Sequence, residues 1–239
     1  MPEVRTPDAL YSEASRRLSS GLRDMEIDGG CDMHGNVPVM YLEDGIRRSH
    51  EAGMDFLARM GLPEREEVLG AVSAGIGWFT VYLHQDPDII NGVLGMDRTP
   101  EDYRRFVGDV LDCGGEIVPH ISAGFGRADL LMCIDVLKEN GLKDVVLDTA
   151  VPVPDSRLEE SCLTSDAVAE CASMLVSEGF SVCLGHCRDM SLDGLEMKCA
   201  EAGVRAFQSP SPGFVRFLEE EDIERCESES CIPFRRSCP

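Results

Sequence analysis

Four of the five histidines in this chain, His34, His84, His120 and His186, come just after short apolar runs; His50 alone lies within a helical pattern. The same positions carry other reactive side chains. After Met25-Glu26-Ile27 comes Asp28-Gly29-Gly30-Cys31-Asp32-Met33-His34, in which two glycines lead into groups that coordinate or transfer protons. Later runs end in Ser73 and Gly75, in His84 and Asp86, in His120, Ser122 and Gly124, and in Asp148 and Thr149. The last two end in His186, Cys187 and Arg188, and in Gln208 and Ser209. Imidazoles and carboxylates gathered at one cavity are the equipment of general acid–base catalysis, so His120, His186 and Asp148 are the catalytic candidates. A lone histidine at a strand end is more often structural, and the case rests on their number. Gly29, Gly30 and Gly124 would let backbone approach a ligand closely, with a plain tight turn as the alternative.

Thiols add a second kind of chemistry. Cys183-Leu184-Gly185-His186-Cys187 sets two cysteines four residues apart with an imidazole beside one. Strand alternation turns Cys183 and Gly185 to one side and His186 to the other, so a metal held by all three requires the strand to end there. Cys226, Cys231 and Cys238 fall in a polar tail and are either metal or cluster ligands or inert exposed thiols. No Walker loop, dinucleotide fingerprint, HExxH or GxSxG element occurs.

Short strands separated by amphipathic helices would bring these residues to one place. Thr6-Pro7 and Thr99-Pro100-Glu101-Asp102 read as helix starts, with a capping hydroxyl, a proline at the first position and early acids. Helical patterns are expected over 6–21, 40–60, 99–113, 127–140, 164–178 and 191–202. Strands are expected at 25–28, 68–72, 79–83, 117–118, 145–147, 182–184 and 204–207. Asn140-Gly141, Glu178-Gly179 and Ala202-Gly203 each stand where a helix C-cap feeds a buried parallel strand. Seven strands with one helix in front of them suggest an α/β fold, a partial or open TIM-type (β/α) barrel whose first strand and first loop are missing. A doubly wound open sheet is the alternative. The barrel is expected over 1–215, with a cysteine-containing tail over 216–239.

The chain carries 44 acidic against 22 basic residues, a net charge of -22, which argues against nucleic acid or an anionic membrane as partner. No stretch approaches the roughly 18 apolar residues of a membrane span. With no apolar signal region at the N-terminus, the eleven cysteines read as reduced thiols and the location as cytoplasmic.

Several segments together resemble the biotin-synthase-like radical S-adenosylmethionine (SAM) proteins, notably an archaeal branch that includes a subunit of a two-component lipoyl synthase. They are Asp28-Gly29-Gly30-Cys31-Asp32 with Gly35 and Val37-Pro38, and Gly95-Met96-Asp97-Arg98-Thr99 with Asp102-Tyr103. Val118-Pro119-His120-Ile121 with Gly124, Pro152-Val153-Pro154, and Leu184-Gly185-His186-Cys187-Arg188 followed by Ala202-Gly203-Val204 complete the set. The resemblance implies that SAM is a cofactor, with Gly29 and Gly30 taking its amino end beside Cys31 and Asp32. Ser122 and Gly124 would lie along its adenosine, with Thr149 and Asp148 beyond on the same rim. It also implies a [4Fe-4S] cluster, yet the family's CxxxCxxC loop is absent from the sequence.

Three readings follow. In the first the chain is an enzyme or enzyme subunit of the biotin or lipoyl synthase type, its cluster supplied by a partner protein or by unusual ligands such as Cys31, Cys187, Cys226 and Cys231. In the second it is a cluster-free barrel that binds a small molecule and serves as a partner or scaffold subunit. In the third it is an unrelated barrel enzyme using His120, His186 and Asp148 for acid–base work. An unclosed barrel leaves an edge, so a protein partner or a second copy of the chain is expected to cover it.

Overall fold

In the computed structural model, which describes residues 5–32, 34–150, 163–189 and 191–223, one unit recurs. A helix stops at a glycine in the left-handed region, and a parallel strand begins within three residues. Gly53 (φ 100°) and Gly75 (φ 109°) show how the junction works. The N–H of Gly53 donates to the His50 carbonyl and that of Met54 to the Ser49 carbonyl, which satisfies the last turn of the helix and turns the chain back. Gly21, Gly114, Gly141, Gly179 and Gly203 stand at the equivalent points of the other units.

In chain order the elements are α1 (Pro7–Ser19), β1 (Asp24–Ile27), a 3-10 turn (Val39–Leu42), α2 (Glu43–Glu51), β2 (Asp55–Arg59), α3 (Arg65–Ala74) and β3 (Ile76–Thr80). A π-helical turn (Asp88–Val93) then precedes α4 (Pro100–Asp112), β4 (Glu116–Ile117), β5 (His120–Ala123), α5 (Arg127–Glu139) and β6 (Asp144–Thr149). The last are α6 (Ser165–Ser177), β7 (Ser181–Leu184), α7 (Leu195–Glu201), β8 (Ala206–Phe207) and α8 (Pro212–Glu220). Thr6 caps α1 by accepting from the Ala9 N–H, and Thr99 and Asp102 form a reciprocal capping box on α4.

All the strand pairings are parallel, in the orders β1-β2-β3-β4 and β5-β6-β7-β8. Pro119, which has no N–H to give, separates β4 from β5, and the chain on either side of it is one continuous stave. The Val118 N–H donates to the Phe79 carbonyl, the His120 N–H to the Val81 carbonyl, and a bridge pairs Tyr82 with His120. Seven staves thus form one curved wall, and no pairing joins β8 to β1 among the described residues. This is the partial (β/α) barrel expected from the sequence.

Four elements differ from the sequence expectation: β5 carries the stave through His120–Ala123, where a strand-end loop is expected, α8 forms where no helix is expected, and two more lie over 40–75. The helix expected over 40–60 ends at α2, and residues 55–59 are β2; the strand expected at 68–72 lies inside α3, so Ser73 is helical and Gly75 is a helix cap rather than a strand end. Gly53 is the stop that separates α2 from β2. The count of seven survives because the two differences over 40–75 cancel.

Outward-facing strand residues such as Phe56, Ala58, Phe79, Ile121, Val145 and Leu147 are buried against the helices in the main core. Each of the larger of these side chains contributes about 1.5–3 kcal/mol by its burial. Leu57, Val118, Val146 and Cys183, with Trp78 and Ala206, form a separate apolar cluster on the inner face.

Candidate active site in the barrel

Side chains alternate across a strand, so the residue two positions beyond each member of the inner cluster faces the same interior one level nearer the C-terminal rim. That level is polar. Leu57 is followed by Arg59, Trp78 by Thr80, Val118 by His120, Val146 by Asp148, Cys183 by Gly185 and Ala206 by Gln208.

His120 Nδ1 lies 2.6 Å from Asp148 Oδ2, and both side chains are almost fully buried, at 2% and 1% exposure. Asp148 Oδ1 has no hydrogen-bond partner, and the same holds for Thr80 Oγ1 and Arg59 Nε, register neighbours on β3 and β2. Arg59 is held by charge: its Nε is 3.4 Å from Asp28 Oδ2 and its Nη2 is 3.6 Å from Glu26 Oε1. Its guanidinium lies 4.5 Å from the centroid of the Tyr82 ring. On its other side Tyr82 meets the His120 ring edge-on at 5.2 Å. Burial, reinforced by the Asp148 charge, pushes the Tyr82 phenol up from its ordinary value and keeps it a proton donor.

That donor reaches the rim, where the Tyr82 hydroxyl donates to Cys187 Sγ at 3.2 Å. Cys187 Sγ is also 3.4 Å from His186 Nε2, while His186 Nδ1 and the His186 backbone N–H both lie 2.9 Å from Gln208 Oε1. The rim is braced from below. The Thr149 N–H donates to the Cys187 carbonyl, and Thr149 Oγ1 accepts from the Asp189 N–H. Buried Arg188 donates to the carbonyls of Gly185, Gln208 and Ser209 and pairs with Glu196 at 2.9 Å.

On the opposite side, β1 runs into Asp28-Gly29-Gly30, which is exposed. Gly29 and Gly30 line a cleft of about 290 Å³ along β1, with Leu10 and Glu13 of α1 and with Val37 and Tyr41. Next in the chain, Asp32 Oδ1 accepts from the backbone N–H groups of His34 and Asn36. The Asn36 N–H foremost, and then that of His34, hold the Asp32 carboxyl below its ordinary value although the residue is exposed.

The structure therefore brings His120 and Asp148 into contact and places His186 with Cys187, the two pairs meeting at Tyr82. Ser122 is half-buried opposite Asp148 in the β5–β6 register. Thr149 is buried, and its amide and hydroxyl both brace the rim. Gly124 (φ 108°) is exposed, yet a Cβ there would clash with Ala150 Cβ at 2.9 Å. Cys31 is exposed and Cys187 half-buried, and among the described residues no three His, Cys, Asp or Glu side chains are grouped to hold a metal. Cys226 and Cys231 lie outside the described residues, as does Cys238. Arg59 and Tyr82 were given no role by the sequence reading. For Tyr82 the period of two from Trp78 through Thr80 would have sufficed, whereas Arg59 was hidden by the helix assigned to its segment.

The fold has counterparts among solved structures. HydG, a maturase of the [FeFe]-hydrogenase, superposes with a TM-score of 0.64 at 11% identity over 86% of this chain and 50% of its own. Methylornithine synthase (PylB) gives 0.66 at 14% identity over 94% of this chain and 76% of its own. HMG-CoA lyase from Brucella melitensis gives 0.62 at 17% identity over 93% of this chain and 86% of its own. The chain has their β/α-barrel fold. It spans about half the length of HydG. No protein-family model matches the sequence, and no curated protein matches it significantly. No helix among the described residues is long and apolar enough to cross a membrane.

Proposed function

We propose that this chain is a radical SAM-like protein related to the biotin and lipoyl synthases, an enzyme subunit that binds SAM at the barrel mouth. The observation that carries the reading is a pair of buried polar atoms inside the barrel with no hydrogen-bond partner, Thr80 Oγ1 and Asp148 Oδ1. Leaving such groups unpaired costs about 1–3 kcal/mol each, so the interior level is built for a polar ligand. Its residues fit SAM. Carboxylates at Asp28 and Asp148 suit a ligand with ammonium and sulfonium charges, and Gly29 and Gly30 present backbone without side chains. Bound SAM supplies a sulfonium whose attached carbons are activated for cleavage. The chain's own residues would orient it: Gly29 and Gly30 at the amino end, Ser122, Gly124 and Thr149 along the adenosine side.

An iron–sulfur cluster does not fit the described residues, because Cys31 and Cys187 find no third ligand beside them. No step is derived through it. A cluster-bearing partner protein, docked at the barrel mouth, is the partner this reading calls for; a second copy of the chain is the alternative occupant. Its place would be the cytoplasm.

Titration calorimetry with SAM tests the binding. Heat that is lost in Asp148→Asn supports it, and no heat or thermal shift at millimolar SAM removes it. Anaerobic addition of iron and sulfide to the isolated chain tests the rest. Absorbance near about 400 nm that disappears in Cys31→Ala or Cys187→Ala would replace the partner by ligands from this chain.

A second reading is favoured by the His120–Asp148 contact. A buried imidazole–carboxylate pair beside an orphaned oxygen is suited to proton abstraction in an acid–base barrel enzyme, and the fold is shared with HMG-CoA lyase. Proton exchange at a bound carbonyl compound, lost in His120→Asn without loss of SAM heat, would select it.

A further inference from the structure

The geometry points to Cys187 as a nucleophilic thiol that accepts an acyl group from an activated acyl substrate, with His186 as its base, Gln208 as the residue that orients the base, and Tyr82 as the donor to the developing oxyanion. The proton positions follow from one amide. The His186 backbone N–H has to find an acceptor, so the Gln208 atom 2.9 Å away is its oxygen. That oxygen also lies 2.9 Å from His186 Nδ1, which therefore carries the ring proton. In the neutral ring Nε2 is then bare, and it faces Cys187 Sγ at 3.4 Å. Nucleophile, base and orienting group are thus in line, the arrangement that activates a thiol.

The site is open to a substrate: His186 is exposed and Cys187 half-buried. Its backbone is fixed, because the Cys187 carbonyl is held by the Thr149 N–H and the adjoining turn by the four hydrogen bonds of Arg188. Tyr82 places an O–H 3.2 Å from the sulfur, within reach of an oxygen on the carbon that the sulfur attacks. Attack forms the S–C bond as the thiol proton passes to His186 Nε2 and the carbonyl π pair moves to oxygen, which accepts from Tyr82. Collapse of that oxyanion breaks the bond to the leaving group, which takes the proton from His186 Nε2. A thioester on Cys187 and a protonated leaving group result, with no oxidant or reductant consumed.

The full chain and p-nitrophenyl acetate test this without SAM, so the outcome is independent of the proposed cofactor. The expected result is a burst of p-nitrophenolate with acetyl found on Cys187 by peptide mass spectrometry, ahead of the exposed Cys31. His186→Ala should slow acetylation of Cys187 about tenfold or more and leave acetylation of Cys31 unchanged. Tyr82→Phe should slow acetylation more than it changes alkylation of Cys187 by iodoacetamide, because both reactions lose the donor to the sulfur and only acetylation develops an oxyanion. That comparison stands even if His186→Ala fails to fold. Acetyl shared equally between Cys187 and Cys31, or Tyr82→Phe slowing both reagents alike, overturns the assignment.

Discussion

Gly185 and Asp148 compete for one volume: a Cβ on Gly185 would sit 1.9 Å from Asp148 Oδ1. The two are adjacent across the β6–β7 pairing, since Leu147 pairs with Leu184 one step earlier. The absent side chain at 185 is therefore what allows a carboxylate to lie inside the barrel in contact with His120. Gly185→Ala should push the Asp148 carboxylate off its 2.6 Å contact with His120. The expected cost is about 1–3 kcal/mol by urea unfolding, as for other overpacked interiors. Loss of ligand heat should accompany it. A fully stable Gly185→Ala variant with unchanged binding would show that Asp148 has room to move.

Removing His120 should be worse than removing both partners. His120→Ala leaves Asp148 buried with neither oxygen paired, and a buried charge stripped of its partner costs about 3–5 kcal/mol. In His120→Ala with Asp148→Asn that charge is gone, so the double variant should unfold at higher urea than His120→Ala alone. The reverse order would mean that Asp148 is solvated from the mouth.

The sequence reveals the staves by their apolar runs and the helices by their caps, and it places Asp148 and His186 at strand ends, where the structure has them; His120, expected just past a strand, instead opens β5 in the middle of its stave. It misleads over 40–75. Met54, Phe56, Leu57, Ala58 and Met60 suit a buried strand and a helix face equally well, because β2 is covered on both sides and loses its alternation. Val68, Ala71 and Val72 likewise fit both periods. The deciding residues are Gly53 and Gly75, whose left-handed backbone marks helix ends as Gly141, Gly179 and Gly203 do. Contacts such as Tyr82 to Cys187, 105 residues apart, depend on how the staves curve and leave no local trace.

Tyr103 offers a titration that reads burial directly. It is 2% exposed, and its hydroxyl donates to Met96 Sδ at 3.8 Å. Burial above all raises its phenol from the ordinary 10.0 to about 12, with the Asp129 charge adding to it. A raised folded value means that the stabilising contribution is complete below 10.0 and disappears as pH climbs through about 12, because the unfolded chain ionises first. Tyr103→Phe should therefore stay within about 1 kcal/mol of the parent near neutrality. Between pH 10 and 12 it should become the more stable of the two, by about 1.4 kcal/mol per unit of separation. Parallel alkaline unfolding curves for parent and variant would count against a buried, neutral phenol.

Glu13 provides the opposite sign at the other end of the scale. Arg16 donates to it from Nε at 2.8 Å and Arg17 from Nε at 3.0 Å. The Arg16 hydrogen bonds foremost, with help from Arg17, lower its carboxyl from 4.5 to about 2. A depressed value contributes stability above 4.5 that is lost as pH falls toward 2. Because the pairs are solvated on α1, the expected effect of Glu13→Gln near neutrality is small, about 0.3–1 kcal/mol, and screened by salt. The gap between parent and variant in thermal unfolding should be widest above pH 4.5, should narrow steadily on acidification, and should shrink on addition of salt. A gap that does not change with pH would assign the loss to packing of the side chain against the β1 cleft, which Glu13 also lines, rather than to its charge.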